Sequence, residues 1–195
     1  STSASDSWDY TDWSSALFGT VSVGLYDKVY LDASYRRDWC QSFQQFTADG
    51  KYKSFGYYSF GANVLLDKFI NTEDQQRAPW IDQLKWRGSY SVVGNAVPNT
   101  LFARQSLDFH TGALSTKPPT FDDPKPETTT AFETGIDAWL FNNKFNIDVT
   151  YYNSTLRNQF LYVSAGQESK PVNTGKIRNQ GVEVTLGYRW AINKD

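Results

Sequence analysis

Apolar and polar residues alternate position by position in several separate runs of this chain. In the clearest run, Val182, Val184, Leu186, Tyr188 and Trp190 are interleaved with Glu183, Thr185, Gly187 and Arg189. A period of two puts the two sets on opposite faces of a β-strand. The same rule separates Phe145, Ile147, Val149 and Tyr151 from Asn146, Asp148, Thr150 and Tyr152. It also separates Val29, Leu31, Ala33 and Tyr35 from Tyr30, Asp32, Ser34 and Arg36. Phe132, Ile136, Ala138 and Leu140 oppose Glu133, Asp137 and Trp139, and weaker runs cover residues 17 to 25, 58 to 64 and 84 to 92. The pattern predicts about seven strands of roughly nine to eleven residues, the length a tilted strand needs to cross a bilayer.

The connections sharpen this reading. Tyr26-Asp27-Lys28 and Phe141-Asn142-Asn143-Lys144 are predicted as tight hairpin turns. Long polar stretches, residues 39 to 54, 93 to 130 and 158 to 178, alternate with short links, and residues 66 to 82 fall on the short side. Outer-membrane barrels sort their loops in this way, with short periplasmic turns and long external loops. The stretch from Gly94 to Thr130, with Pro98, Pro118, Pro119, Pro124 and Pro126, is too long for a structureless loop in a compact soluble domain. Tyr26, Phe141, Phe145, Tyr188 and Trp190 gather at the short-turn ends of strands, as an interfacial girdle would. Asp32, Arg36, Lys85, Arg87, Glu133, Asp137, Asp148, Glu183 and Arg189 fall in mid-strand on the polar face, where a dry core would reject them but a wet lumen accepts them. The expected fold is all-β, an antiparallel transmembrane β-barrel segment. An odd strand count and two open edges imply either a further strand within residues 1 to 15 or a larger barrel of which this is a part.

Composition narrows the class further. Mean hydropathy is -0.55 and no stretch approaches the apolar length of a membrane helix, which excludes a helical span but not a barrel, because barrel strands average lipid-facing and lumen-facing residues. Aromatic residues make up 16% of the 195 residues, which suits membrane girdles or a sugar- or peptide-binding cleft. The net charge is -2 and no basic run occurs, so nucleic acid is not an expected partner. Cys40 is the only cysteine, so no internal disulfide can form, and it is read as a bystander thiol at a strand end. The polar start Ser1-Thr2-Ser3-Ala4-Ser5, with no Met anywhere, is expected of a processed chain or of an internal piece of a longer one.

Four stretches, in order along residues 20 to 190, resemble SusC-like TonB-dependent transporters of Bacteroidetes, the RagA/SusC family. The first is Leu31-Asp32-Ala33-Ser34-Tyr35-Arg36-Arg37-Asp38, and the second Leu84-Lys85-Trp86-Arg87-Gly88-Ser89-Tyr90 with Gly94-Asn95. The third runs from Lys125-Pro126-Glu127-Thr128-Thr129-Thr130 through Phe132-Glu133-Thr134-Gly135-Ile136-Asp137, then Phe141-Asn142-Asn143 and Asp148-Val149-Thr150-Tyr151-Tyr152. The fourth, Val172 to Glu183, looks like the family's Asn-x-Gly-x-Ile-x-Asn-x-Gly-Val-Glu signature. Gly175 and Gly181, in this run, are expected at positive φ or at a bulge, and Thr128 to Thr130 to open a strand. The sequence departs from the family at Trp39-Cys40-Gln41-Ser42-Phe43, where a Gly/Ser-rich stretch is usual, and at Ser91, where Gly is common.

The resemblance implies a middle-to-late part of a larger barrel of about 22 strands, with residues 1 to 195 forming a partial barrel domain that contains no plug domain and no TonB box. It implies uptake of glycans or oligopeptides across the bacterial outer membrane. The implied partners are the rest of the barrel and its plug, a SusD-like surface lipoprotein as lid, TonB acting through the plug, and lipid or lipopolysaccharide around the wall. No cofactor, metal or catalytic residue is implied. His110 lies near Asp108 without a nucleophile-elbow motif, Asp122-Asp123 lack a calcium-loop pattern, and no phosphate loop or zinc spacing occurs. Candidate contacts to substrate or lid, all at expected external loops, are Trp39, Phe43, Tyr52, Phe102, Arg104 and His110. Aromatic faces there can stack on sugars or hold peptide side chains, or pack the loops together. Three rival readings share these features: a soluble β-sandwich carbohydrate-binding module, a small autonomous outer-membrane barrel, and an outer-membrane barrel enzyme using His110.

Overall fold

A computed structural model describes the backbone of residues 13–40, 54–95, 106–107, 114–115, 125–165 and 168–190. In chain order the elements are β1 (Ser14–Leu25), β2 (Val29–Cys40), β3 (Ser54–Leu65), α1 (Asp67–Ile70), β4 (Ile81–Asn95), β5 (Ser106–Leu107), β6 (Leu114–Ser115), β7 (Glu127–Leu140), β8 (Phe145–Ala165) and β9 (Glu168–Tyr188). Seven strands form one antiparallel sheet in the order β1-β2-β3-β4-β7-β8-β9, and β5 pairs with β6 in a separate small hairpin. The seven alternating runs thus become seven strands, each beside its neighbour in the chain.

The turns form where local chemistry allows left-handed backbone. Tyr26 (φ 54) and Asp27 (φ 52), with Lys28, make the three-residue link from β1 to β2, closed by Lys28 N–H donating to the Leu25 carbonyl at 3.0 Å. Phe141, Asn142 and Asn143 lie at φ 57, 58 and 57 between β7 and β8. Asparagine tolerates this region and phenylalanine does not. Phe141 is held there by its ring, stacked on Trp80 with centroids 5.8 Å apart, and by its N–H, which donates to the Trp80 carbonyl at 2.9 Å. In the link from β3 to β4, Asn71 replaces missing ladder bonds: its amide donates to the Ala78 carbonyl and accepts from the Ala78 N–H, both at 2.8 Å.

Tracing the register across the sheet gives continuous rows on its two faces. One outward row runs Leu25, Val29, Val64, Trp86, Ile136, Val149, Val184; another runs Val21, Ala33, Phe60, Tyr90, Phe132, Asn153, Gln180. The sheet has no second layer over this face among the described residues. Leu186 is 73% exposed and Trp190 76%, while only Cys40 and Ala138 are buried apolar residues among those described. An uncovered apolar face over seven strands is unfavourable in water, and such a face is what lipid solvates. The indole N–H that the row turns outward at Trp86 is satisfied by the Thr134 hydroxyl at 3.0 Å. The single layer also removes the β-sandwich rival, which needs two packed sheets.

Aromatic residues mark two levels of the outward face. At the short-turn end Trp80, Phe141, Phe145, Tyr188 and Trp190 form a chain of ring contacts between 4.8 and 6.1 Å. Toward the other end lie Tyr35, Tyr58, Phe60, Tyr90 and Phe132, with the Tyr58 and Tyr90 centroids 6.2 Å apart. From Phe145 to the level of Tyr58, which is that of Thr155, the chain climbs about ten residues. That is about 33 Å of strand, or about 25 Å of height at the usual tilt, the height of a membrane band.

Three expectations are corrected. The strands are 12 to 21 residues long, longer than a bilayer crossing requires. The stretch expected as a loop at 158 to 178 is paired: β8 and β9 continue from Gln159↔Thr174 to Ala165↔Glu168. Above the bilayer both faces of a hairpin meet water, so alternation disappears from the sequence while backbone pairing persists. Gly175 does sit at positive φ (94), opposite Asn158 (φ 57), but Gly181 is extended. Its role is room: a Cβ there would lie 2.7 Å from the Tyr152 hydroxyl.

Candidate functional site

The second face of the sheet collects the charge. In register across it lie Gly24, Tyr30, Asn63, Arg87, Gly135, Thr150 and Glu183; the neighbouring rows bring Leu65, Lys85, Asp137, Asp148 and Thr185, and Ser22, Asp32, Gly61, Ser89, Glu133 and Tyr152. Opposite the lipid face in a barrel is the lumen, so these residues line the inside of the wall.

Asp137 and Asp148 are direct cross-strand partners on β7 and β8. Like charges so placed repel. Two cations from β4, spaced by two residues and so on the same face, relieve them. Lys85 Nζ lies 3.6 Å from Asp137 Oδ2. Arg87 reaches across β7 and donates from both terminal nitrogens to Asp148, at 2.7 and 2.8 Å, and also to the Thr150 hydroxyl at 2.5 Å. The Asn146 amide donates to the other oxygen of Asp137 at 3.1 Å. The Arg87 side chain crosses β7 at Gly135, its register partner. A Cβ at Gly135 would lie 3.3 Å from Arg87 Nε, 3.0 Å from the Thr150 hydroxyl and 2.8 Å from the Val149 carbonyl. The glycine is therefore the gap through which a polar bridge from Arg87 to Asp148 and Thr150 joins β4 to β8 across β7.

The side chains of the bridge stay partly wet, at 35% and 28% exposure for Arg87 and Asp148. Asp137 and Asp148 are each tied to a cation from β4. Among the described residues no group of three or more His, Cys, Asp or Glu is placed to hold a metal. Near the long-loop end the same face carries an Arg36–Asp38 ion pair at 2.6 Å beside Tyr57, whose buried hydroxyl has no hydrogen-bond partner among the described residues.

Of the residues expected to touch substrate or lid, Phe43, Tyr52, Phe102, Arg104 and His110 lie outside the described residues. Trp39 is described. It lies one residue before the end of β2, in register with Ser15 and Ser54, on the outward parity of Leu31 and Tyr35, with the Arg37 guanidinium 5.7 Å from its ring centre. Of the lumenal residues at that end, Arg36 is expected on the polar face from sequence, and Asp38 and Tyr57 are not. The signal that finds them is parity: Asp38 falls in the alternating set of Asp32 and Arg36 on β2, and Tyr57 in that of Ser59 and Gly61 on β3.

The family model described as TonB dependent receptor-like, beta-barrel matches residues 1–194. A curated relative, TonB-dependent receptor P3 of Formosa agariphila, is 25% identical over 194 residues, covering 92% of this chain and 18% of the relative. Among solved structures, the RagAB peptide importer in an open-open state superposes with a TM-score of 0.73 at 23% identity, over 93% of this chain and 20% of that one. The Serratia marcescens hemophore receptor HasR does so with a TM-score of 0.59 at 12% identity, over 92% and 32%. The chain thus spans about a fifth of the length of the first relatives it matches. The fold expected from the four sequence stretches is the one found, and the chain belongs to the TonB-dependent receptor-like β-barrel family.

Proposed function

We propose that this chain is wall from the barrel of a SusC-like, energy-coupled importer in the bacterial outer membrane. The observation that carries the reading is the sorting of the two faces over seven strands: an apolar face bounded by aromatic girdles, and a lumenal face lined by paired charges. In this reading the rest of the barrel and a plug complete the transporter, TonB acts through the plug, and a SusD-like lipoprotein closes the long-loop end. The solute is a bulky nutrient, an oligopeptide or a glycan. The likeness to RagAB, a peptide importer, supports the peptide. The lumenal bridge keeps the wall wet and rigid while a solute passes, and no step calls for catalysis. Trp39, Phe43, Tyr52, Phe102, Arg104 and His110 remain the proposed contacts to solute or lid.

The test is uptake of labelled oligopeptides and oligosaccharides by cells expressing, or lacking, the full-length protein that contains this segment. Accumulation that depends on the protein and collapses with a protonophore supports the reading. Equal accumulation in both strains, for every solute tried, overturns it.

A further inference from the structure

The outward face is apolar up to the second aromatic level, and then its chemistry changes abruptly. Along the paired outward positions from the short turns up to the Arg157–Lys176 pair there is no Asp or Glu, yet Arg37, Arg157, Lys176 and Arg178 lie there, all at the long-loop end. Over the same span the acidic strand residues Asp32, Asp38, Glu133, Asp137, Asp148 and Glu183 are on the other face. Three of the four cations cluster. Arg157 on β8 and Lys176 on β9 are direct cross-strand partners, and Arg178 is two residues from Lys176 on the same face. All three are exposed. Arg178 Nε donates to the Asn153 amide oxygen at 3.2 Å, a neutral acceptor that leaves its charge uncompensated.

Directly opposed cations on a sheet repel and weaken it. On the lumenal face the matching problem, Asp137 against Asp148, is answered by Lys85 and Arg87. On the outward face no acidic side chain among the described residues answers it, so the neutralising anion comes from outside the sheet. The height of the cluster identifies it. Arg157 stands one row above the level of Tyr58, and Val182 and Tyr151 lie below it on the same face. A ligand placed here has its anion at the edge of the bilayer and its apolar part along the sheet.

We propose that Arg157, Lys176 and Arg178 form a binding site for the phosphate of an anionic membrane lipid, whose acyl chains lie against Tyr151 and Val182. The proposal rests on the outer-membrane reading but not on what the barrel transports. Each cation near a membrane surface contributes about fivefold in affinity, so three contribute roughly a hundredfold.

The test uses the full-length transporter containing this segment, with bound lipid counted by native mass spectrometry after titration with phosphatidylglycerol or phosphatidylcholine. Expected is retention of phosphatidylglycerol over phosphatidylcholine, lost by at least about tenfold in Arg157→Gln/Lys176→Gln/Arg178→Gln and kept in Arg157→Lys/Arg178→Lys. Lys176→Glu gives a second reading, since it supplies Arg157 with its own counter-ion. That variant runs as a folded barrel in unheated electrophoresis, and phosphatidylglycerol, which raises the thermal midpoint of the parent, raises it no longer. If either the triple Gln variant or the Lys176→Glu variant holds as much phosphatidylglycerol as the parent, the proposal is overturned. So does displacement of the lipid by millimolar inorganic phosphate overturn it, since that marks a free-anion site. Protein that keeps its lipid but takes up no solute overturns the transport reading alone.

Discussion

Gly135→Ala is the smallest change that tests the lumenal bridge. The new methyl falls 2.8 Å from the Val149 carbonyl, a backbone atom inside the β7–β8 ladder, and 3.3 Å from Arg87 Nε. The carbonyl cannot retreat without breaking pairing, so the guanidinium is the group that moves, and it leaves Asp148 facing Asp137. The bidentate contact is about a third exposed, at 35% and 28%. Screening therefore reduces its worth to about 1–2 kcal/mol. The overlap itself costs about 1–2 kcal/mol, and replacing glycine in a strand returns about 0.5 kcal/mol. The net loss is about 2 kcal/mol. In an Arg87→Gln/Asp148→Asn background only the overlap and the glycine terms remain, about 1 kcal/mol or less. Urea unfolding of the refolded full-length barrel, followed by tryptophan fluorescence, measures both. A coupling of about 1 kcal/mol is expected. The same cost in both backgrounds refutes the idea that Gly135 is there to let Arg87 pass.

Asp27→Gly removes a left-handed non-glycine residue (φ 52) from the β1–β2 turn and is expected to raise stability by about 1 kcal/mol in the same urea assay; a loss shows that the Asp27 side chain contributes more than its backbone. Val184→Arg on the outward face costs about 2–4 kcal/mol in bilayers, as expected near a membrane midplane, whereas Ser89→Arg on the lumenal face costs about 1 kcal/mol or less; equal costs contradict the assignment of faces. Phe141→Ala removes the ring that stacks at 5.8 Å on Trp80 and leaves the strained backbone unsupported. Slower insertion into vesicles and a loss of about 1–3 kcal/mol are expected, and an unchanged midpoint shows that the turn holds itself.

Alternation made the strands legible because a membrane wall must present lipid on one side and water on the other at every second residue. Val182 to Trp190 obeys that rule without exception, and the structure has Val182 to Tyr188 of that run in β9. The rule fails where the physics behind it stops. Residues 159 to 165 and 168 to 174 lie beyond the bilayer, so their pairing leaves no apolar stripe and they read as loop. The mid-strand charges were legible as a wet face, but not their partners: Arg87 bonds across an intervening strand, a distance in sequence of 61 residues that no local pattern encodes. Gly135 reads as an ordinary strand glycine until Arg87 is seen above it. For the loop residues, only Trp39 is placed, and parity puts it in line with the outward row rather than with Tyr57.

Each inner strand of the sheet pairs with the strand that precedes it in the main order and with the one that follows. Nothing in the pattern waits for a distant part of the chain, so the wall can grow by one hairpin at a time. Every hairpin laid down completes one edge and presents the next, with register set by turns as short as Tyr26-Asp27-Lys28. The loop-closure entropy of each addition is that of its own connection, small for the turns and only slowly larger for the long links. A barrel built this way can gain or lose a hairpin without rearranging those already in place, which makes the hairpin the natural unit by which such walls change size.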